Sequence, residues 1–244
     1  MGRPTAASIR VDTPTRVLDA AENAFALAGL AGAKLADIAA AAGIRRPSLL
    51  YHFSSKEGLY GAVVQRGFDA LGEALAHAMA TDKQVFWATA RGTQQLAAWT
   101  TLQRFRDAGL PLRVLQIRAK EKVCLNDVVA CSPERCGFAE GYHDRVREAS
   151  VVPRLVEHGF IAPEALLAMG SEHVVCPFAL GIDTSEQVDV VLGDYNYVLD
   201  PGAAIRRHFG DGPSGDWIVV VDEAHQLVDR ARGWLSPTLE LATV

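Results

Sequence analysis

The spacing of apolar residues changes near residue 81, and this change limits the possible folds more than any other feature of the chain. From Thr13 to Ala80 apolar side chains recur at helical spacing, with Ala and Leu dominant. After Thr81 short Val-rich runs alternate with helical stretches, a pattern typical of a parallel sheet covered by helices on both faces. We therefore predict an all-α domain over residues 1–81 and an α/β domain over residues 82–244.

The pattern also predicts the individual elements. In the first domain, helices are expected over Thr13–Gly29, Leu35–Ala42, Arg46–His52 and Ser55–Met79, with Thr13 as the first cap. In the second domain, strands are expected at Val85–Ala88, Arg113–Ile117, Val188–Leu192 and Trp217–Val221.

The charge of the chain is unevenly distributed between these two parts. The whole chain has 24 basic and 29 acidic side chains, a net charge of −5, which argues against a general nucleic-acid coat protein. Residues 1–81 hold eight Lys or Arg against seven Asp or Glu, a net of +1, which leaves 16 against 22, a net of −6, for residues 82–244. Any contact with DNA is therefore expected to come from a local patch.

No apolar stretch reaches the roughly 18 to 20 residues that a bilayer span needs. Residues Met1 to Arg10 also lack the apolar middle of a signal peptide. We therefore expect a soluble, cytoplasmic protein with no membrane partner. In that compartment the four cysteines are expected to be reduced thiols or metal ligands rather than disulfides.

The segment from Lys34 to Phe53 has the features that a helix-turn-helix requires. Its alanines let two helices pack closely, and Gly43 permits a sharp turn between them. Apolar side chains that can fix the crossing angle are Ile38, Ile44, Leu49 and Leu50. The side chains left for the outer face are Arg45, Arg46, Ser48, Tyr51 and His52. Lys56 is placed to reach a backbone phosphate. The alternative is an ordinary helical bundle with a surface Tyr-His pair.

Residues 13–72 resemble the DNA-binding domain of TetR-family repressors. The likeness lies in the Ala-rich first helix, the Asp-Ile-Ala core, Gly-Ile in the turn, and Leu-Tyr-His-Phe followed by Ser-Lys-Glu. The resemblance implies double-stranded DNA as a partner. It implies these residues as DNA contacts: Lys34, Arg45, Arg46, Ser48, Tyr51, His52 and Lys56. Two half-sites roughly 34 Å apart normally need a symmetric dimer, and the sequence leaves a homodimer open.

All four cysteines fall in one region of the second domain, at Cys124, Cys131, Cys136 and Cys176. Thiolates are soft ligands that suit zinc or an iron–sulfur cluster. Their spacing alone favours neither metal, and unligated thiols stay a third alternative.

The second domain resembles the first motor domain of DinG/XPD-like iron–sulfur helicases from about Val85 to Leu239. The likeness lies in the cysteines, Tyr-His-Asp-Arg from Tyr142, Cys-Pro-Phe from Cys176, the run from Asp189 to Tyr197, and Asp-Glu-Ala-His from Asp222. The resemblance implies that the four thiolates hold a [4Fe–4S] cluster, with zinc as the alternative. It also implies that Asp222 holds magnesium and that Glu223 orients the attacking water.

The sequence departs from that family at the phosphate-binding loop. No Gly-rich loop that ends in Gly-Lys-Ser or Gly-Lys-Thr occurs in the chain, so nothing supplies its cradle of N–H groups and its lysine. We therefore predict an incomplete α/β P-loop-helicase-like domain after the TetR-like domain, with no bound Mg/ATP and with Asp222 and Glu223 catalytically silent. The favoured function is DNA binding in transcriptional regulation without enzymatic activity, and the alternative is a fragment of an ATP-dependent iron–sulfur helicase.

Overall fold

The computed structural model describes residues 12–90, 92–200, 202–210 and 216–236. The chain divides into two compact units, Met1–Glu73 and Ala74–Val244, so the division falls within the fourth helix. Residues Met1 to Arg10, for which no signal peptide was expected, lie outside the described residues. The last residues of the segment that resembles a helicase also lie outside them. A functional boundary at residue 81 stays a prediction.

The first unit is helical, as the apolar spacing predicts. Its helices are α1 (Thr13–Gly32), α2 (Leu35–Ala41), α3 (Arg46–His52) and the start of α4 (Lys56–Ala80). The prediction for α1 was wrong at its start, and its predicted end at Gly29 coincides with a break in the helical backbone. Asp12, not Thr13, precedes the helix and makes no side-chain cap, and the chain continues past a kink at Gly29 (φ 66°, ψ 176°) to Gly32.

The core of the first unit joins these four helices. It contains fully buried apolar side chains from α1, α2, α3 and α4, among them Val17, Ala21, Ile38, Leu49 and Leu59. Ile44 and Leu50 pack against this core while remaining partly exposed. The four apolar residues that the sequence assigned to the helix-turn-helix interior therefore all lie against the core.

The second unit alternates strands with helices. Its elements after α4 are β1 (Gln84–Thr89), α5 (Gly92–Asp107), β2 (Val114–Gln116), α6 (Lys120–Val123), α7 (Tyr142–Glu148), α8 (Val151–Glu157), β3 (Phe160–Ile161), α9 (Pro163–His173), α10 (Pro177–Thr184), β4 (Val190–Asp194), α11 (Asn196–Leu199), α12 (Arg206–Phe209), β5 (Trp217–Val221) and α13 (Leu227–Leu235). Each of the four predicted strands is present. The sequence did not predict β3, because two residues are too short to show a periodicity.

The described strands form one parallel sheet in the order β3-β2-β4-β1-β5. In the centre, Val85 of β1 pairs with Val190 of β4 on one side and with Ile218 of β5 on the other. Because every strand runs in the same direction, the carboxyl ends of β1, β4 and β5 meet at one edge of the sheet. The confirmed fold class is thus an all-α helical part followed by an α/β part with a parallel sheet.

Strand β5 lies at the margin of this sheet and pairs, among the described strands, only with β1. All five of its residues are apolar, yet none is fully buried, and Val219 is 37% exposed. By contrast, four of the five residues in β4, which has a neighbour on both sides, are buried. An apolar edge strand of this kind offers unpaired backbone groups to another chain.

Within the described ranges, no single helix is long and apolar enough to cross a membrane. Helices α9 and α10 pass that test only as a pair bent by 118°, and by length and composition alone.

Candidate functional sites

The turn between α2 and α3 has the backbone that the sequence predicts. Gly43 adopts a left-handed conformation with φ of 69°. This conformation is higher in energy for a residue with a Cβ than for glycine. The N–H of Ile44 donates to the carbonyl of Ala39, 2.9 Å away, and closes the turn. Leu49, fully buried in the following helix, then fixes which face of α3 is turned away from the core.

The residues predicted to contact DNA lie on the exposed side of this motif. Arg45 precedes α3 in an extended conformation, and the side chains of α3 itself are mostly solvent-accessible. Tyr51 is 86% exposed and meets the ring of His52 edge to face, with 5.3 Å between ring centroids. The predicted residues that are exposed are Lys34, Arg45, Arg46, Ser48, Tyr51 and His52. The structure thus brings six of the seven to the surface.

Lys56 differs from the other predicted contacts because it is half-buried. Its Nζ donates to the carbonyl of Ala31 at 3.1 Å, near the end of α1. A cation near a helix C-terminus is stabilised by the exposed carbonyls. The sequence did not predict this structural bond. A phosphate contact by Lys56 stays a prediction.

The cysteines are brought together by two segments, the loop between α6 and α7 and the turn before α10. Cys124 follows α6, Cys131 and Cys136 lie in the loop that leads to α7, and Cys176 immediately precedes α10. All four line one small pocket, together with Asn126, Phe138 and Phe178. Cys136 is buried, Cys124 and Cys176 are half-buried, and Cys131 is exposed. The clustering that the sequence predicted is therefore present in the fold.

The donor set of this pocket fits a metal cluster. In the part of the chain that the structure describes, no group of three or more His, Cys, Asp or Glu side chains is arranged to hold a single metal ion. Four thiols that line one pocket are soft ligands, and they suit either zinc or an iron–sulfur cluster.

The turn that carries Cys176 is tightly constrained. Val174 adopts a left-handed conformation with φ of 54°, which is strained for a β-branched residue. The N–H of Val175 donates to the carbonyl of Gly170 at 2.9 Å, and that of Cys176 donates to the carbonyl of Phe138 at 3.1 Å. The second bond ties this turn directly to the loop that carries Cys136.

A polar network lies beside the cysteine pocket. The hydroxyl of Tyr142 donates to Asp183 at 2.7 Å, and Arg207 donates to the other oxygen of the same carboxylate at 2.7 Å. Burial and the Asp183 hydrogen bond raise the pKa of Tyr142, which therefore stays a neutral donor. This network joins α7, α10 and α12 around the cysteine pocket.

The acidic pair follows β5 at the carboxyl edge of the sheet. The N–H of Asp222 donates to the carbonyl of Ala88 at 2.9 Å and so extends the pairing with β1. Burial raises the pKa of Asp222, and the charge of Glu223 raises it further. The backbone of Glu223 adopts a left-handed conformation, with φ of 54°, where the chain leaves the strand. The acidic pair is therefore held at a strand end, as the sequence predicts.

Tyr195 lies next to this pair and was not predicted from the sequence. The residue is fully buried, and its hydroxyl has no hydrogen-bond partner among the described residues. Burial raises the pKa of Tyr195 to about 12, with further contributions from Asp222 and Glu223. Arg230 of α13 packs over the Tyr195 ring, 5.7 Å from its centroid, and bonds Asp194 at 3.4 Å. No sequence motif indicates these contacts, which join β4 to α13.

A groove of about 1030 Å³ runs along the carboxyl ends of β1, β2 and β4. Its ionisable lining comprises five cations and two anions: Arg118, Lys120, Lys122, Arg206, Arg207, Glu121 and Asp194. The groove is thus locally basic although residues 82–244 carry a net charge of −6. The aromatic side chains of Phe178 and Tyr197 also line it.

Comparison with protein families gives a separate match for each part of the chain. Residues 17–63 match the family described as bacterial regulatory proteins, tetR family. Residues 93–244 match the DEAD_2 family, and this match covers more than half of the chain. The two matches agree with the two resemblances seen in the sequence.

Two curated proteins illustrate what the chain is similar to. "Regulator of telomere elongation helicase 1" of Bos taurus is 26% identical over 137 residues, which is 52% of this chain and 11% of that protein. "Fanconi anemia group J protein homolog" of Gallus gallus is 30% identical over 166 residues, which is 61% of this chain and 13% of that protein. The chain therefore spans only 11% and 13% of the length of these two relatives. With a tetR-type helix-turn-helix in its first unit and a helicase-like sheet in its second, the chain belongs to the DEAD_2 family.

Proposed function

We propose that this protein binds double-stranded DNA through its helix-turn-helix and acts in transcriptional regulation, without enzymatic activity of its own. The observation that carries this proposal is the outer face of α3, where Arg45, Arg46 and Tyr51 are exposed while Leu49 anchors the helix in the core. Basic and hydroxyl side chains at the start of such a helix suit phosphates and base edges in the major groove. A homodimer would supply the second half-site.

The test is the salt dependence of binding to a DNA duplex. Changing both Arg45 and Arg46 to Ala should weaken binding by about 1–3 kcal/mol for each base that an arginine reads, or lower the salt slope by about one unit for each phosphate that an arginine neutralises. The matched control is Arg147→Ala, which removes a 77% exposed arginine from α7. Equal binding by the double variant and by the control would refute the assignment.

A second candidate function concerns the helicase-like part. The basic groove, with its two aromatic side chains, suits a single-stranded nucleic acid. The phosphates of such a strand bind cationic side chains, and its bases stack on aromatic rings. We propose that this groove binds single strands without ATP-driven movement. Lys122→Glu with Arg206→Glu should abolish single-strand binding and leave duplex binding intact, whereas unchanged single-strand binding would remove this candidate.

We further propose that Cys124, Cys131, Cys136 and Cys176 hold a [4Fe–4S] cluster. When bound, the cluster would supply a one-electron couple and a rigid cross-link between the loop and α10. Protein purified without oxygen should be brown, and serine at any one of the four positions should abolish or greatly reduce the iron content. Stoichiometric zinc without acid-labile sulfide would support the zinc alternative instead. A cytoplasmic location remains part of the proposal, because thiols stay reduced in that compartment.

A further inference from the structure

The loop between α6 and α7 places an amide directly on one of the cysteine sulfurs. Nδ2 of Asn126 donates to Sγ of Cys136 across 3.2 Å. Cys136 is only 8% exposed, and Asn126 is half-buried and lines the same pocket as the four thiols. Water therefore competes weakly for this sulfur, which makes the hydrogen bond stronger than it would be at the surface.

The backbone N–H groups of Cys136 and Cys176 are already engaged. The N–H of Cys136 donates to the carbonyl of Ser132 at 2.9 Å, and that of Cys176 donates to Phe138 at 3.1 Å. Among the residues that the structure describes, no other hydrogen bond reaches a cysteine sulfur. The Asn126 amide is thus the side chain that donates to the sulfur of Cys136. Because the amide is neutral, it stabilises negative charge on that sulfur through its N–H dipole alone.

The chemical consequence follows from where charge accumulates on reduction. A reduced cluster carries one more electron than an oxidised one, and part of that negative charge lies on the cysteine sulfurs. A donor on a sulfur stabilises the reduced form more than the oxidised form, and hydrogen bonds to sulfur are among the factors that set cluster potentials. Removing the donor should therefore favour the oxidised form.

We propose that Asn126 is a positioning residue that raises the reduction potential of the cluster through its hydrogen bond to Cys136. This inference rests on the proposed cluster. It assigns Asn126 no role as a ligand, so the iron content should not depend on its amide. The inference does not depend on ATP or DNA, so the midpoint potential of the purified chain tests it directly.

The experiment compares the full chain with three variants purified without oxygen. Asn126→Leu removes the donor and keeps the branched shape and the number of heavy atoms. Asn126→Gln keeps an amide, and Val128→Ala alters a 74% exposed neighbour as the matched control. The measurements are iron and sulfide per chain, and the midpoint potential from a redox titration followed by electron paramagnetic resonance.

The expected result is full iron in all three variants and a lower midpoint potential in Asn126→Leu alone. A tenfold fall in the ratio of reduced to oxidised cluster corresponds to about 59 mV for one electron. Asn126→Gln should recover part of that shift, and Val128→Ala should match the unaltered chain.

Three outcomes overturn the inference, and they are distinguishable. An unchanged midpoint potential in an iron-loaded Asn126→Leu protein removes the role of Asn126 alone. Iron loss in Asn126→Leu as complete as in a cysteine variant shows that the residue shapes the loop rather than tunes the cluster. An unaltered chain that binds no iron removes the cluster assignment, and this inference with it.

Discussion

Replacing Gly170 of α9 with alanine should disturb the turn that carries Cys176. An ideal Cβ at Gly170 would lie 2.6 Å from Cγ of Pro177 and 2.9 Å from the carbonyl oxygen of Val175. Real Cβ contacts are not found below 3.0 Å, and neither a proline ring nor a backbone carbonyl can swing away. The substitution must therefore displace the turn that holds Cys176 between these two residues.

Two opposing contributions set the magnitude. Glycine to alanine in a helix gains about 1 kcal/mol of stability. Overpacking of a tight core costs about 1–3 kcal/mol, and the rigid neighbours place this site at the upper end. We expect a net loss of about 2 kcal/mol in the free energy of unfolding of the second unit. Iron retention should fall as well, because the backbone N–H of Cys176 is bonded to Phe138 and cannot move freely.

The assay is urea denaturation followed by tryptophan fluorescence, together with iron analysis. All four tryptophans lie after residue 81, so their fluorescence reports on the second unit. The matched control is Gly233→Ala in α13, where a Cβ meets nothing within 4 Å and the same substitution should be neutral or stabilising. If Gly170→Ala unfolds at the same urea concentration as the unaltered chain and binds the same iron, the steric reasoning is refuted.

Three further predictions concern buried or silent groups. Burial lowers the pKa of His208, whose ring lies 2.7 Å from the hydroxyl of Ser185. The free energy of unfolding should therefore be highest above the unfolded pKa of about 6.5 and should fall as the pH drops below it. In His208→Gln, the urea midpoint should lose this dependence on pH. Burial raises the pKa of Asp222, so the folded state loses stability as pH rises above the unfolded pKa of about 4; Asp222→Asn should unfold at a higher urea concentration at pH 7, and a lower one would contradict this sign. DNA-stimulated ATP turnover should be absent in the unaltered chain, and turnover that disappears in Glu223→Gln would overturn the silence of the acidic pair.

The elements that could be predicted from the sequence are those whose signal is local. Gly43 fixes a turn through its own backbone freedom, and the apolar run Trp217–Val221 is a strand because each residue favours one. Such features depend on a few neighbouring residues. The start of the first helix was the exception, since Asp12 precedes it without a side-chain cap and leaves no clear pattern.

The features that could not be predicted depend on contacts between distant segments. Tyr195 becomes a buried hydroxyl beside the acidic pair only after β4, β5 and α13 have assembled around it. The bond from Lys56 to Ala31 joins residues 25 positions apart, and periodicity carries no information about it. Similarly, the spacing of Asn126 and Cys136 does not reveal that an amide and a sulfur meet in the folded loop.

The measurement that tests the central claim most directly is selection of binding sites from a pool of random DNA duplexes by the full-length chain. DNA binding through α3 predicts enrichment of a short common sequence, and predicts that this enrichment disappears when Arg45 and Arg46 are both changed to Ala while Arg147→Ala retains it. A pool with no enriched sequence, or the same enriched sequence in the double variant, would contradict the proposal that this helix reads DNA.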